Sequence, residues 1–420
     1  MARIVSDKKK LHLYLRAASE ESTLSVPRCR HFGECGGCEF QNITYEAQLD
    51  LKRRALAFIA EAVLAEDAPP VEGGLPAAIR SLADMLAGVE PELVASPLPF
   101  SYRQRMDYVY AFDKAGLRRA HRHRQVVELE ECPLLGGEGF GVFRAALDLA
   151  KREELPSYDY MRHVGDLRYF VVRRSRSGGV MLSLVTKTLE RGDAVRKILG
   201  ELLDSSLIVS GHWLHAPGMG DVSFGSRIEH VGEPTIDECL NGVRLGIGPN
   251  TFFQANPVVA ETAYARIAGF LTKNDLVLDM YSGVGSIALT VAGNAGKVLA
   301  AENQPENVIL ARRNIAVNAV DNVELVESDA VHFLQVQTTA DGVRPDAIVV
   351  NPPRPGVGVE GIDAIARIAP ARIAYLSCNP FTLLRDMRRL AVGYALQSLT
   401  LFDMFPQTRH FETLALFERR

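Results

Sequence analysis

Cys378 has the residue type and the setting from which nucleophilic chemistry could be built. It follows the apolar run RIAYLS and precedes Asn379 and Pro380. A single cysteine in a strand is more often an inert filler of the core than a reactive group. The polar flanks and the proline place this thiol at the end of a strand, where a thiolate can add to an electron-poor carbon. We therefore predict that Cys378 is a nucleophile.

Glu412 could complete such a site as a proton acceptor. It follows His410 and Phe411 and begins the last apolar run of the chain, ETLALF. A carboxylate can take up a proton from a carbon that a covalent adduct has made acidic. The alternative is an exposed glutamate at a strand edge, and the pattern around Glu412 does not by itself separate the two.

A glycine turn and three polar strand ends predict a nucleoside site. Gly283 and Gly285 lie in DMYSGVGSIAL, between an apolar strand and a helix. Glu302 ends the next strand, nineteen residues after Gly283, where a carboxylate can accept hydrogen bonds from ribose hydroxyls. Asp329 and Asn351 end the third and fourth strands. NAD and S-adenosylmethionine would both suit this arrangement, and helix capping is the alternative role for Glu302 and Asp329.

The turn after the fourth strand bears on which kind of methylation the site could perform. It reads NPPRPG, so Arg354 stands where an aromatic residue would stack on a base during methylation of an exocyclic amino group. Amino methylation is therefore disfavoured.

Four of the six cysteines suit a metal centre. Cys29, Cys35 and Cys38 form a C-x5-C-x2-C pattern, and Cys132 precedes a proline. Such crowding differs from a disulfide framework spread over a secreted fold. Four thiolates can hold zinc or an iron–sulfur cluster, and spacing alone does not separate them. Cys239 stands alone, and we predict that it is a buried structural residue.

Length and composition set the outer limits. At 420 residues the chain can form two or three domains, and 47% hydrophobic with 23% charged residues is typical of globular proteins. No apolar run approaches the length of about 18 residues that a membrane span needs, and no signal peptide core is evident. We therefore expect a cytoplasmic protein. The net charge of -4 argues against coating of nucleic acid by bulk charge, although local basic patches remain possible.

The pattern of apolar residues along the chain predicts two domains of different fold and a helical segment. Alternating apolar runs up to residue 247 predict an antiparallel, β-rich central domain formed by residues 1–40 and 75–247. Residues 41–74 read as a helical segment that packs on the catalytic domain. Residues 248–420 carry continuous apolar strands separated by helix-length segments. They predict an α/β, Rossmann-like domain with a mostly parallel, doubly wound sheet.

Two basic stretches in the central region predict contact with RNA. Residues 101–124 contain seven Lys or Arg and two Asp, a local charge of +5, and residues 162–176 contain five Arg and one Asp. Basic strands with interleaved aromatic residues suit phosphate contacts and stacking on unpaired bases. The aromatic residues of the first stretch are Tyr102, Tyr108, Tyr110 and Phe112.

Several motifs together resemble the RNA uracil-5 methyltransferase family, which makes 5-methyluridine in ribosomal and transfer RNA. They span residues 248–420 in the order GPNTFFQANP, VLDMYSGVGSIAL, NPPRPG, LSCNPFTLLRD and MFPQTRHFETLALF. The resemblance implies an S-adenosylmethionine-dependent class I methyltransferase with Cys378 as nucleophile and Glu412 as base. It also implies cofactor contacts from Gln254, Tyr281, Ser286, Glu302, Asp329 and Asn351. The family commonly has Asp at the position of Asn351 and Asn or another polar residue at that of Ser286.

The cysteine spacing is similar to that of the iron–sulfur subgroup of this family. It implies a [4Fe-4S] cluster on Cys29, Cys35, Cys38 and Cys132, with zinc as the alternative and a structural role preferred. Only 28 residues precede Cys29, too few for the family's N-terminal β-barrel, and this favours a ribosomal RNA hairpin from the large subunit as substrate. Transfer RNA is the alternative. We expect a flipped uridine and a monomer without an obligate protein partner.

Two further alternatives belong to other classes. An NAD-dependent oxidoreductase would use the glycine turn and Glu302 but leaves Cys378 and Glu412 unexplained. A non-catalytic RNA-binding or ribosome-assembly protein could keep the fold without the reaction.

Overall fold

Two large β-sheets organise the computed structural model, which describes residues 7–65, 77–337 and 344–420. The first part of the chain forms α1 (Asp7–Glu20), α2 (Tyr45–Ala65), α3 (Ala77–Ala87) and β1 (Glu92–Val94). The middle part forms β2 (Arg105–Ala111), β3 (Lys114–Arg119), β4 (Arg122–Glu128), α4 (Gly137–Arg152), β5 (Leu167–Arg174), β6 (Val180–Thr186), α5 (Gly192–Asp204), β7 (Ser210–His215), β8 (Ser226–Gly232), β9 (Ile236–Leu240) and β10 (Val243–Ile247). None of the helices within the described ranges is long and apolar enough to cross a bilayer.

The last part of the chain alternates strands and helices. It forms α6 (Pro257–Phe270), β11 (Leu276–Met280), α7 (Ser286–Val291), a 3₁₀ turn (Ala292–Asn294), β12 (Lys297–Glu302), α8 (Pro305–Val317), β13 (Val323–Glu327), α9 (Ala330–Gln337), β14 (Ala347–Val350), α10 (Gly358–Ile368), β15 (Arg372–Ser377), α11 (Pro380–Leu390), β16 (Tyr394–Phe402) and β17 (Glu412–Arg419).

The larger sheet has eight strands in the order β1-β16-β17-β15-β14-β11-β12-β13. Strands β11 to β15 run parallel, and β17 lies antiparallel between β15 and β16. Helices cover both faces, so that β14 is fully buried and its residues form a continuous apolar run. The order of the strands reverses beside β11, which creates a crevice at the carboxyl ends of β11 and β14. The predicted α/β fold with a mostly parallel sheet is confirmed.

The smaller sheet has seven strands in the order β4-β3-β2-β5-β6-β7-β8. Helices α4 and α5 pack against one of its faces. The sequence predicts an antiparallel sheet here. Five of the six neighbouring strand pairs are antiparallel, and only β6 and β7 pair in parallel. The reason is that α5 crosses between these two strands and returns the chain to the same end of the sheet.

Strand β1 lies in a different sheet from the one its position in the sequence predicts. Its residues fall within 75–247, yet it pairs in parallel with β16 at the edge of the eight-stranded sheet. Leu93 lies opposite Leu401 in this pair. The other predicted domain limits stay predictions.

Residues 29–40, here called the cysteine strap, connect the two sheets. The Gly36 N–H donates to the carbonyl oxygen of Arg118 on β3 at 2.9 Å. The Glu39 N–H donates to the carbonyl oxygen of Gln407, in the loop between β16 and β17, at 2.8 Å. The strap therefore fixes the seven-stranded sheet relative to the eight-stranded one.

Helix α2 carries a buried polar face that holds the β16–β17 loop. The Lys52 ammonium lies 2.5 Å from the Asp403 carboxylate, and both side chains are almost fully buried. The Tyr45 hydroxyl donates to the other oxygen of Asp403 at 2.7 Å. The side-chain amides of Gln48 and Gln407 bond at 3.0 Å. A buried ion pair of this kind depends on both partners, because either charge alone would be left uncompensated.

Replacing Lys52 by Met is expected to lower the free energy of unfolding by about 3 to 5 kcal/mol, because the Asp403 carboxylate stays buried without its counterion. Urea unfolding followed by circular dichroism measures the change. Arg54→Met is the matched control on the same helix, since Arg54 pairs with Asp50 at 2.5 Å but both side chains are exposed. There we expect a loss of less than about 1 kcal/mol. Equal losses for the two variants would contradict the role given to the buried pair.

Candidate active site

A cleft of about 1470 Å³ lies between the carboxyl edge of the eight-stranded sheet and the seven-stranded sheet. Its walls come from β2, β3 and β5 on one side and from the loops that follow β11, β12, β14 and β15 on the other. The predicted site residues that line it are Gln254, Tyr281, Gly283, Glu302, Asp329, Asn351, Cys378 and Glu412. Gly285 and Ser286 do not line it but lie at the start of α7, where Ser286 is buried.

The turn after β11 has a left-handed backbone at three positions. The φ angles are 62° at Tyr281, 59° at Gly283 and 87° at Gly285. A Cβ atom added at Gly283 would meet no atom within 4 Å, so glycine is required there by conformation rather than by space. Tyr281 adopts this conformation with a side chain, which costs about 1 to 2 kcal/mol. The turn thus brings its backbone to the cleft wall.

Glu302 organises this turn from the neighbouring strand. One carboxylate oxygen accepts from the Gly283 N–H at 2.9 Å, and the other accepts from the N–H groups of Asn303 and Gln304 at 2.8 Å each. Asn303 and Gln304 both precede α8, whose first turn receives no side-chain capping bond, so Glu302 holds the turn between β12 and α8 and the alternative role as a helix cap is wrong for this residue. The side chain also lines the cleft, and its predicted contact with a ribose stays a prediction.

Asp329 also caps a helix. One of its carboxylate oxygens accepts from the N–H groups of Val331 and His332 at 3.0 Å each, in the first turn of α9. Asn351 is half-buried directly after β14 and faces the same cleft. The polar strand ends therefore converge as the sequence predicts, although part of their hydrogen-bonding capacity is used within the protein.

The loop of residues 248–256 closes the cleft from the side of the seven-stranded sheet. The buried Arg173 guanidinium on β5 donates to the Thr251 carbonyl oxygen, and the Asn250 side chain donates to Glu306 at 3.0 Å. Burial, together with the charge of nearby Arg105, lowers the pKa of Arg173 to about 9. Contacts with β5 and with α8 thus hold the loop that carries Gln254.

Cys378 and Glu412 share one electrostatic environment with Arg354. Burial, and then the negative charge of Glu412, raise the pKa of the Cys378 thiol to about 11, while Arg354 acts in the opposite direction. Burial raises the pKa of Glu412 to about 8, again against Arg354. Glu412 is 3% exposed, so the alternative of an exposed glutamate at a strand edge is wrong.

The surroundings of the Cys378 thiol oppose its ionisation in the protein alone. Arg354 favours the thiolate, since its charge and its hydrogen bond both lower the pKa of Cys378. The cost of burying an anion and the repulsion from Glu412 outweigh it in the protein alone. A thiolate therefore requires a further positive charge in the cleft.

The four predicted metal ligands line one small cavity between the cysteine strap and the loop after β4. Burial and the proximity of the other thiols raise the pKa of Cys35 and of Cys38 to about 12. Among the described residues, no group of three or more His, Cys, Asp or Glu side chains has the arrangement that holds a metal ion. The metal centre therefore stays a prediction.

Cys239 is exposed, so its predicted burial is wrong, because β9 turns its side chain away from the core.

Five of the side chains predicted to bind RNA in the two basic stretches are buried and have structural roles. Tyr102, Tyr108 and Tyr110 are buried, which leaves Phe112 as the exposed aromatic residue of the first basic stretch. In the second stretch, Arg168 and Arg173 are buried and donate to backbone carbonyl oxygens. Arg168 and Arg173 therefore do not belong to an RNA-binding surface, because buried strands place them inside the fold, whereas Arg162 is exposed and the RNA contact predicted for the rest of 162–176 stays a prediction.

Asp279 was not among the predicted site residues. It is fully buried on β11, accepts from the Ala288 N–H at 3.0 Å, and its pKa is raised to about 8 by burial. It ties the strand to the first turn of α7, behind the glycine turn. A carboxylate within the otherwise apolar run LVLDM was the available signal.

Comparison with known proteins adds the family. The profile of the tRNA (uracil-5-)-methyltransferase family matches residues 247–420. A protein named as an RNA methyltransferase from Caldanaerobacter subterraneus subsp. tengcongensis is 31% identical over 403 residues, which cover 93% of this chain and 84% of the relative. The tRNA (uracil(54)-C(5))-methyltransferase of Pyrococcus horikoshii is 30% identical over 393 residues, with 92% and 84% covered.

A solved structure agrees over the same length. The tRNA (uracil-54, C5)-methyltransferase of Pyrococcus abyssi, in complex with S-adenosyl-L-homocysteine, superposes with a TM-score of 0.72 at 28% identity, covering 91% of this chain and 86% of that one. These similarities favour methyl transfer over the NAD-dependent alternative. Together with the cleft at the switch point of the sheet, they show that this chain belongs to the RNA uracil-5 methyltransferase family and is an S-adenosylmethionine-dependent enzyme of that class.

Proposed function

We propose that this enzyme methylates carbon 5 of a uridine in structured RNA, with Cys378 as covalent nucleophile and Glu412 as base. One observation carries the proposal: both side chains line the same cleft as the polar residues at the strand ends. The charge of Arg354 lowers the pKa of both groups. A cysteine and a carboxylate in one cleft supply the two functions that the reaction needs.

The chemistry follows from the weak nucleophilicity of carbon 5. Addition of the Cys378 thiolate to carbon 6 breaks the 5,6 double bond and moves electron density to carbon 5. S-adenosylmethionine supplies an electrophilic methyl group, which carbon 5 can then accept. Glu412 takes the remaining proton from carbon 5, the double bond forms again, and the carbon–sulfur bond breaks to return the thiolate. The uridine must leave its stack to enter the cleft.

The protonation states explain how the protein prepares this sequence. Near neutral pH both Cys378 and Glu412 hold their protons, because burial disfavours two anions side by side. When bound, S-adenosylmethionine would add its sulfonium charge to that of Arg354 and would favour loss of both protons to solvent. Cys378 would then be the thiolate that adds to carbon 6, and Glu412 the carboxylate that accepts the proton from carbon 5.

Transfer RNA is the substrate that the relatives favour. Two relatives, from Pyrococcus horikoshii and Pyrococcus abyssi, are named as tRNA (uracil(54)-C(5))-methyltransferases. We therefore place transfer RNA first and ribosomal RNA second. We retain the proposals of a cytoplasmic location and a monomer.

The four thiols fit an iron–sulfur cluster by their chemistry. Cys29, Cys35, Cys38 and Cys132 share a cavity, and four thiolates there would be costly without cations to neutralise them. A bound cluster would supply that charge and join the cysteine strap to the seven-stranded sheet. Methyl transfer requires no redox step, so the role is structural, and zinc remains the alternative metal.

Mapping of 5-methyluridine tests the substrate. In a strain that lacks this gene, mass spectrometry of transfer RNA is expected to show loss of 5-methyluridine at one position, and the ribosomal RNA to be unchanged. Loss in ribosomal RNA alone would reverse the order given above. Retention of every 5-methyluridine would contradict the proposed function.

Cys378→Ala is expected to lower methyl transfer at least about 1000-fold, as removal of a covalent nucleophile does elsewhere. With 5-fluorouridine RNA and S-adenosylmethionine, the wild-type enzyme should form an adduct that survives denaturing electrophoresis, because a base cannot remove fluorine from carbon 5. Glu412→Gln should accumulate the same kind of adduct on ordinary RNA. Cys239→Ala is the control and should behave as the wild type. An adduct that persists in Cys378→Ala would exclude this residue as the nucleophile.

Stability should depend on pH through Glu412. Its pKa is raised from an ordinary value near 4.5 to about 8 on folding, so the stabilisation from holding the proton is complete below pH 4.5 and is lost as pH rises towards 8. Glu412→Gln removes this dependence. We expect the melting temperature of the variant relative to wild type to increase between pH 5 and pH 8. Glu418→Gln, at an exposed position on the same strand, should show no such trend, and a parallel response of both variants would refute the assignment.

The metal proposal has a readout that does not involve activity. Protein purified without air should contain about four iron atoms and absorb in the visible region, and a Cys35→Ala/Cys38→Ala variant should lack both features. The variant should also melt at least about 4 °C lower, because the strap loses its attachment. Cys239→Ala should retain the iron. One zinc per chain, with no iron, would establish the alternative metal.

A further inference from the structure

An exposed aromatic contact continues from the rim of the cleft along the face of the seven-stranded sheet that α4 and α5 leave open. The rings of Phe112 and Tyr160 meet edge to face with centroids 4.8 Å apart. The Arg118 guanidinium lies 4.4 Å from the Tyr160 ring centroid, and Arg118 also lines the cleft. We call Phe112, Tyr160 and Arg118 the aromatic platform. It adjoins the cleft through Arg118.

Phe112 occupies a backbone position that disfavours it. It forms the two-residue turn between β2 and β3 with Asp113, and their φ angles are 54° and 58°. Such turns favour Asn and Gly, because other residues strain the left-handed conformation. The Phe112 side chain is nevertheless 38% exposed, so the core does not require it. A bulky aromatic held under strain at the surface indicates a function outside folding.

Two arginines on the edge strand β4 extend this surface. Arg122 and Arg124 are exposed, and neither forms an ion pair with a residue that the structure describes. The pairing of β4 with β3 shifts register between Arg118 and Arg119, so that Arg122 pairs with Arg119 and Arg124 lies in the irregular part of this edge strand. Val126, two residues further along, packs in the same apolar cluster as Tyr160. The Tyr160 hydroxyl also donates to the Arg124 carbonyl oxygen. The two charges therefore flank the platform.

We propose that the aromatic platform binds an unpaired nucleotide of the substrate RNA beside the target uridine, by stacking on Phe112, while Arg122 and Arg124 contact the adjoining phosphates. The inference rests on the proposed RNA substrate. Aromatic rings with nearby cations suit single-stranded nucleic acid, since stacking accepts any base and the charges follow the backbone. The platform thus positions the RNA, whereas Cys378 and Glu412 act on the uridine.

Phe112→Asn separates this role from a structural one. It removes the stacking ring and relieves the turn, so its melting temperature should stay within about 3 °C of wild type. Affinity for an unmodified transfer RNA transcript, measured by fluorescence anisotropy with the full chain, should fall about tenfold. The KM for RNA should rise, while kcat at saturating RNA and the affinity for S-adenosylmethionine stay within twofold. A transcript affinity within twofold of wild type would overturn the proposal.

Arg122→Ala/Arg124→Ala provides the second test. It should weaken transcript binding and reduce the slope of log affinity against log salt by about 1 to 2, since two phosphate contacts are lost. The matched control is Arg152→Ala/Lys197→Ala, which removes two exposed charges from α4 and α5 on the opposite face of the same sheet. Equal effects of the two pairs would overturn the proposal. If wild-type enzyme binds the transcript but methylates no RNA, the proposed function fails while the affinity comparison still decides the platform.

Discussion

The buried ion pair between Lys52 and Asp403 is the constraint on which the catalytic geometry depends. A charged pair without solvent is stable only when its partners are held closely, so α2 and the β16–β17 loop cannot shift independently. That loop leads directly into β17, whose first residue is Glu412. The position of the base therefore follows from a helix that makes no contact with the reacting atoms. Hydrogen bonds between Gln48 and Gln407 also join α2 to the β16–β17 loop, and they fix the orientation of the loop because they require a defined geometry.

The cleft itself results from two requirements that oppose each other. A doubly wound sheet collects its loops at one edge, which brings Cys378, Glu412 and the polar strand ends together in one cleft. Burial of these groups then works against their ionisation, so that Cys378 and Glu412 both keep their protons until opposite charge arrives. The active anion is thereby reserved for the assembled complex. The free protein holds a poorly reactive thiol, which protects it from adventitious oxidation.

The sequence was informative where local chemistry determines structure. Continuous apolar strands and the glycine turn led to the fold of the last part of the chain and to the convergence of Glu302, Asp329 and Asn351. The sequence was uninformative where the role of a side chain depends on whether the fold buries it. The tyrosines of β2 and Arg168 have the composition of a binding surface, yet their alternation along buried strands places them inside. The parallel pairing of β6 and β7 depends on the crossing of α5. The raised pKa of Cys378 depends on burial and then on Glu412, which lies on another strand. Such effects arise from tertiary contacts that no local pattern contains.

The cysteine strap has a consequence for how the enzyme would respond to its surroundings. Its backbone is bonded on one side to β3 and on the other to the loop that precedes Glu412, so three thiols lie on the piece that joins the two halves. In a protein that carries the proposed cluster, loss of the cluster would loosen the alignment of the seven-stranded sheet with the cleft. Methyl transfer would then stop although the side chains in the cleft stayed intact.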